Sequence, residues 1–304
     1  MTTVLVTGAY GFIGRHVARE AASRGHRVAG IGHGSWTRQE QSDWGLKSWR
    51  EATVSLDALR DLDSLPDVII HCAGGSDVGH SMTRPWNDFK RTVDSTADLL
   101  EFIRADAPDC RLVLTSSAAV YGDAADLPIR IDSTLKPISP YGVHKKLAED
   151  VCREYAEHFG VTASIVRLFS VYGVGLRKQL LWDACGKWKR GEFAFGGTGE
   201  EVRDWIHVDD AARLIVSSAD CASTSAPLVN GASGVGLKIR TVVEALAQVL
   251  PKCPPPEFTG VARSGNPSRF IADITQAAEL GWRPERSFSD GVAEYAQWFQ
   301  GLDL

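Results

Sequence analysis

Five short runs of apolar and β-branched residues punctuate the first half of the chain: Val4 to Val6, Arg27 to Ile31, Val68 to His71, Arg111 to Thr115 and Thr162 to Arg167. The stretches between most of them carry apolar positions at helical spacing, which predicts helices over Gly11 to Arg24, Trp86 to Ala105 and Tyr141 to Gly160. Ser139 and Pro140 stand where the last of these needs an N-cap and a first helical residue. Strands alternating with helices imply a parallel sheet covered on both faces, an α/β fold. Beyond Gly173 the pattern loosens. It predicts helices at Gln179 to Lys189, Asp209 to Ser218, Arg240 to Leu250, Ile274 to Leu280 and Asp290 to Leu302, and a strand at Val202 to Val208. A Gly-rich turn at Gly196 to Gly199 and the prolines Pro254 to Pro256 interrupt them, and this half reads as a smaller lobe laid against the first. Gly32 to Trp49, with Trp36, Trp44 and Trp49 in polar surroundings, reads as a loop beside whatever binds after the second strand.

With 304 residues the chain is about twice a typical domain length, enough for one large or two joined domains. A hydrophobic share of 44% against 23% charged excludes disordered and coiled-coil classes. No apolar run approaches the roughly 18 residues of a membrane span, and Thr2 to Thr7 show no basic-then-apolar leader, so the expectation is a cytoplasmic protein without membrane partners. A net charge of -5 leaves no footprint for nucleic acid. Cys72, Cys110, Cys152, Cys185, Cys221 and Cys253 stand more than 30 residues apart, which predicts free thiols and no metal site.

Three elements carry chemistry. The first strand runs into Thr7-Gly8-Ala9-Tyr10-Gly11-Phe12-Ile13-Gly14 at the mouth of a helix. A tight turn, backbone close to pyrophosphate and close helix-to-strand contact all exclude a side chain there, so the glycines predict a dinucleotide site. Tyr141 and Lys145 share one helix face, and a cation near the phenol favours its ionised form, suiting it to exchange a proton with a sugar hydroxyl or ketone. Ser117 follows the Arg111 to Thr115 strand, where a hydroxyl faces the crevice off the carboxyl ends of a parallel sheet. A serine hydrolase is excluded because no GxSxG elbow exists and Ser117 has no local base partner.

In this order the three elements resemble the extended short-chain dehydrogenases/reductases of the NAD-dependent nucleotide-sugar epimerase/dehydratase family. The likeness continues through His71-Cys72-Ala73, Arg167-Leu168-Phe169-Ser170-Val171-Tyr172-Gly173, Arg203-Asp204-Trp205-Ile206-His207-Val208-Asp209-Asp210 and Gly281-Trp282-Arg283-Pro284, nearly the whole chain. It implies a Rossmann-type doubly wound sheet over residues 1–172, with 202–230 returning to it, and a smaller α/β substrate lobe of 173–201 and 231–304. It also implies Ser117, Tyr141 and Lys145 as catalytic residues, with Lys145 and Tyr141 bonding the cofactor held by Gly8, Gly11, Phe12, Ile13, Gly14 and Ala73. Ser81, Ser117, Ser170, Arg203 and Arg263 fall on the substrate side, and two copies are expected to pair through the helices Trp86 to Ala105 and Tyr141 to Gly160.

Departures from the pattern narrow the reading. Members that remove water across carbons 4 to 6, or decarboxylate, carry acidic residues after the catalytic hydroxyl, and here Ala118 and Ala119 have nothing to titrate. An acid about 20 positions beyond the glycines would bond the ribose of NAD. The chain reads Ile31-Gly32-His33-Gly34-Ser35 there, with Arg38 following, so NADP is the expected cofactor, its 2'-phosphate paired by His33, Ser35 or Arg38, and NAD the alternative. Ser170 replaces an asparagine common in the family. The expected activity is oxidoreduction of a nucleotide-activated sugar at carbon 4, with 4-keto reduction placed ahead of 4-epimerisation, and a non-catalytic dinucleotide-binding protein as the further alternative.

Overall fold

The computed structural model describes residues 1–251, 253–261 and 268–303. Its first half runs β1 (Thr3–Thr7), α1 (Phe12–Ser23), β2 (Arg27–Gly32), α2 (Arg38–Asp43), β3 (Leu46–Glu51), α3 (Leu56–Arg60), β4 (Val68–His71), α4 (Val78–Thr83), α5 (Pro85–Phe89), α6 (Ser95–Asp106), β5 (Arg111–Ser117), α7 (Pro140–Phe159) and β6 (Ala163–Leu168). There follow β7 (Ser170–Tyr172), α8 (Gln179–Lys189), β8 (Ala194–Phe195), β9 (Val202–His207), α9 (Val208–Ser217), β10 (Leu228–Gly231), β11 (Gly236–Lys238), α10 (Ile239–Val249), β12 (Glu257–Phe258), α11 (Thr275–Glu279) and α12 (Phe288–Gln300).

Seven strands form one sheet in the order β10-β6-β5-β4-β1-β2-β3, every neighbouring pair parallel. Alternate side chains serve opposite faces, as the pleat dictates. Val4 and Val6 of β1 pack with Val17 and Ala21 of α1 and Leu214 of α9, while Leu5 packs with Leu59, Leu99 and Cys152 from α3, α6 and α7. Strand order reverses between β1 and β4, so the crevice off their carboxyl ends is the natural ligand position. The smaller lobe has a three-stranded sheet, β11-β9-β7, and a β12-β8 pair, with Trp205, Leu246, Tyr295 and Phe299 in its core. The molecule is therefore a Rossmann-type doubly wound α/β fold with a smaller α/β lobe. Among the described residues no helix is long and apolar enough to cross a membrane.

The structure corrects several expectations. Gly32 to Trp49 is not a loop: Thr37 and Glu40 form a reciprocal capping box that starts α2, and β3 then pairs with β2 at the sheet edge. The predicted helix Trp86 to Ala105 is divided into α5, a wide π-turn at Lys90–Asp94, and α6. Ser95 Oγ and Thr96 Oγ1 donate to the Arg91 and Thr92 carbonyls there, a competition that loosens the helical ladder. Val202–His207 joins the smaller lobe's sheet rather than the large one, whereas α9 packs on α1 and β10 extends the large sheet.

Candidate active site

The glycines act partly on one another. Gly8 has φ +67°, and a Cβ on it would lie 2.8 Å from the Ala73 nitrogen at the end of β4. A Cβ on Gly14 would lie 2.2 Å from the Gly8 carbonyl oxygen. These two residues therefore hold the turn tight, while Gly11 opens α1 as an N-cap with no side-chain cap and no acidic residue in the first turn. An uncapped helix start with no acidic side chain in its first turn fits a diphosphate, so the cradle suits the dinucleotide expected from the sequence. Phe12 and Ile13, half-buried in the first turn of α1, pack on the core below.

Ser117 ends β5, and its Oγ accepts from the Ala119 amide at 3.2 Å; the same hydroxyl favours ionisation of the Tyr141 phenol. Tyr141 opens α7, whose start is fixed by Ser139 Oγ on the Gly142 amide and by Ser81 Oγ on the Tyr141 amide. One turn on, Lys145 Nζ donates to the Thr115 carbonyl at 3.0 Å. The structure thus brings Ser117, Tyr141 and Lys145 to one end of β5, beside Gly74 of the loop after β4. Burial pushes the phenol above its usual range; the Ser117 hydroxyl opposes this, and Asp88 and Asp77 add to it. Burial likewise lowers Lys145, against the pull of Cys72, Asp88 and Glu149. The sequence expectation that the Lys145 cation brings the phenol closer to working pH is corrected: in the protein by itself desolvation dominates and raises it.

His71 and Cys72 are structural here. Burial, reinforced by Lys145, pushes the His71 imidazole down to about 3, and its Nδ1 pairs with Thr7 Oγ1 at 2.7 Å, tying β4 to β1. Burial pushes the Cys72 thiol up to about 12, so it supplies no thiolate nucleophile. Ser81 is fully buried, with its hydroxyl spent on the Val78 carbonyl and the Tyr141 amide, so the substrate-side role expected of it gives way to positioning the helix. Ser170 is half-buried at the start of β7. Arg203 lies on β9 over the Phe270 ring, its guanidinium within electrostatic reach of Glu201 and of Asp123 in the segment after Ser117. Arg263 falls outside the described residues. His33, Ser35 and Arg38 are exposed beyond β2, and Ser35 Oγ donates to Glu51 at 2.8 Å. Sequence reading missed Glu51 because β3 was not recognised, missed Asp88 because it stands outside any motif, and missed the part of Thr115 because it acts through its main-chain carbonyl.

A doubly wound sheet with a glycine cradle after β1 and a Ser–Tyr–Lys group off β5 defines an extended short-chain dehydrogenase/reductase. Residues 4–226 match the model of the NAD dependent epimerase/dehydratase family, and the chain belongs to that family. It is similar to UDP-glucose 4-epimerase of Azospirillum brasilense, 29% identical over 324 residues, covering 99% of this chain and 92% of that protein. Among solved structures it resembles UDP-glucose 4-epimerase of Thermotoga maritima with UDP-glucose, at a TM-score of 0.87, 25% identity and 98% coverage of both chains. It also resembles a double mutant of the dTDP-glucose 4,6-dehydratase DesIV of Streptomyces venezuelae with NAD bound, at 0.88 and 27%, covering 98% of this chain and 97% of that one.

Proposed function

We propose that the protein is a nucleotide-sugar 4-epimerase using NAD. The observation that carries this is the single acid–base group at the site: Tyr141 is under the influence of the Ser117 hydroxyl, and the two side chains after Ser117 are Ala118 and Ala119. Elimination across carbons 5 and 6 needs a further acid and base, which this turn does not supply. Inversion at carbon 4 needs only one group that takes and returns the hydroxyl proton. The epimerase relatives support this reading over the 4-ketoreductase expected from the sequence.

When bound, the nicotinamide supplies a reversible hydride acceptor and, oxidised, a positive charge. Tyr141 takes the proton of the 4-hydroxyl and returns it, Ser117 orients the same oxygen, and Lys145, anchored on Thr115, holds a cation beside the phenolate. Gly11 and the α1 amides would hold the diphosphate of the cofactor. The expected NADP preference rests on the lack of an acid after β2. Glu51, opposite Gly32 in the β2–β3 register, puts a carboxylate on Ser35, where a 2'-phosphate needs a cation. Denaturing the purified protein and identifying the released nucleotide tests this: tightly held NAD is expected, and an empty site that takes up NADPH in preference would overturn it.

The smaller lobe would hold the nucleotide sugar, with Arg203 on its strand β9 as a cation for its diphosphate. A charge-assisted contact of this kind is worth roughly 1.5–3 kcal/mol, so Arg203→Ala weakens nucleoside diphosphate binding by about 10-fold to 100-fold. Calorimetric titration with UDP and dTDP checks it, and unchanged affinity for whichever binds would remove Arg203 from the site. Two copies are proposed to pair through the α5–α6 segment and α7, since Trp86 on α5 and Val143 and Leu147 on α7 expose apolar surface; sedimentation as a monomer at micromolar concentration would contradict this.

A further inference from the structure

His144 lies between Tyr141 and Lys145 in sequence and takes no part in the chemistry above. Its Nδ1 donates to Asp88 Oδ2 at 2.6 Å, its ring meets Phe89 edge-on, and Asp88 is 1% exposed. Asp88 Oδ1 is buried without a hydrogen-bond partner among the described residues. That oxygen presses on the loop after β4: a Cβ on Gly75 would lie 1.9 Å from it, and a Cβ on neighbouring Gly74 would lie 3.3 Å from Lys145 Nζ. A buried carboxylate with one oxygen unsatisfied is expensive and calls for an account beyond packing.

We propose that Asp88 and His144 are a positioning couple for the catalytic pair: His144 pins the Asp88 carboxylate against the Gly74–Gly75 loop that passes Lys145 Nζ, and the carboxylate so held sets the electrostatic surroundings in which Tyr141 and Lys145 exchange a proton with substrate. The groups that face Tyr141 and Lys145 are Asp77 ahead of α4, Asp88 on α5, Glu149 on α7, and His71 and Cys72 at the end of β4, with Lys178 facing Asp77. Asp88 is the one carboxylate among them that acts on both members of the pair. Its charge opposes ionisation of the phenol and favours the ammonium, which makes proton release conditional on the cation brought by the cofactor. The inference rests on reading Tyr141 as the acid–base group.

The test is tyrosinate absorbance against pH in the NAD-loaded protein without nucleotide sugar, each trace corrected by its Tyr141→Phe counterpart. Asp88→Asn keeps an acceptor for His144 but removes the charge, and it is expected to move the Tyr141 midpoint down by about 0.5 to 1 pH unit. The acidic limb of kcat/KM should move with it. His144→Ala strands a buried carboxylate, which then takes up a proton, and shifts the midpoint the same way; this variant decides the matter if Asp88→Asn does not fold. A midpoint unmoved in the folded variant, or no titrating component assignable to Tyr141, overturns the proposal. Failure of the epimerase reading would look different: a shifted midpoint with no turnover of any nucleotide sugar.

Discussion

Tyr141→Phe is expected to lower turnover by about 100-fold to 10,000-fold while the protein keeps its cofactor. The ring stays, so the packing at the start of α7 and the Ser81 contact to its amide are undisturbed. Only the oxygen that exchanges the proton is lost, together with its interaction with the Ser117 hydroxyl. Because no neighbouring side chain at Ala118 or Ala119 can take over, the loss falls on kcat rather than on KM. Steady-state kinetics beside a cofactor titration checks this, and more than about a tenth of the original rate would remove Tyr141 from its role.

The second large effect is on stability. Glu149→Ala is expected to cost about 3–5 kcal/mol, because it leaves the Arg167 guanidinium buried and unpaired. Arg167 is 2% exposed; its Nε and Nη2 donate to Glu149 at 2.9 and 2.7 Å, Nη1 donates to the Ile131 carbonyl, and the guanidinium lies over the Tyr121 ring. Ser116 Oγ donates to the same carboxylate, so one ion pair links α7, β6 and the residue before Ser117. The double replacement Glu149→Leu with Arg167→Met should recover most of the stability, since neither charge then remains to be satisfied. Urea unfolding measures both, and a loss below about 1 kcal/mol for the single variant would show that the pair is not the tie proposed.

Much of this was legible in the sequence where local rules and global fold agree. Gly8, Gly11 and Gly14 mark a strand-to-helix turn by chemistry that works over a few residues, and Ser139-Pro140 marks the start of α7 by capping. The short strands β7, β10 and β11 were not recognised, because three or four residues carry too little periodicity to stand out from a loop. β3 was missed for another reason: Trp49 and its neighbours are half-buried on an edge strand, so the sequence shows no continuous apolar run, although Thr37 and Glu40 already spell a capping box. At the site, the spacing of Tyr141 and Lys145 already put them on one helix face, and the place of Ser117 after a strand put it off the carboxyl ends of the sheet, while the family resemblance joined the three. The ionisation of the phenol could not, since it depends on burial and on Asp77 and Asp88, which only the fold brings close. The cofactor expectation failed to see Glu51 in the same way, because its partner Ser35 lies across the edge of the sheet.

The central claim is inversion at carbon 4 with no net redox change. The direct measurement is a proton NMR time course of the purified protein with UDP-glucose, UDP-glucuronic acid or dTDP-glucose, supplied one at a time and without added nicotinamide cofactor. The account predicts that at least one is converted to its 4-epimer until a fixed ratio of the two is reached, with the same ratio approached from the epimer. Conversion that requires stoichiometric NADPH and a 4-keto substrate, or loss of the 6-hydroxyl as water, would contradict it.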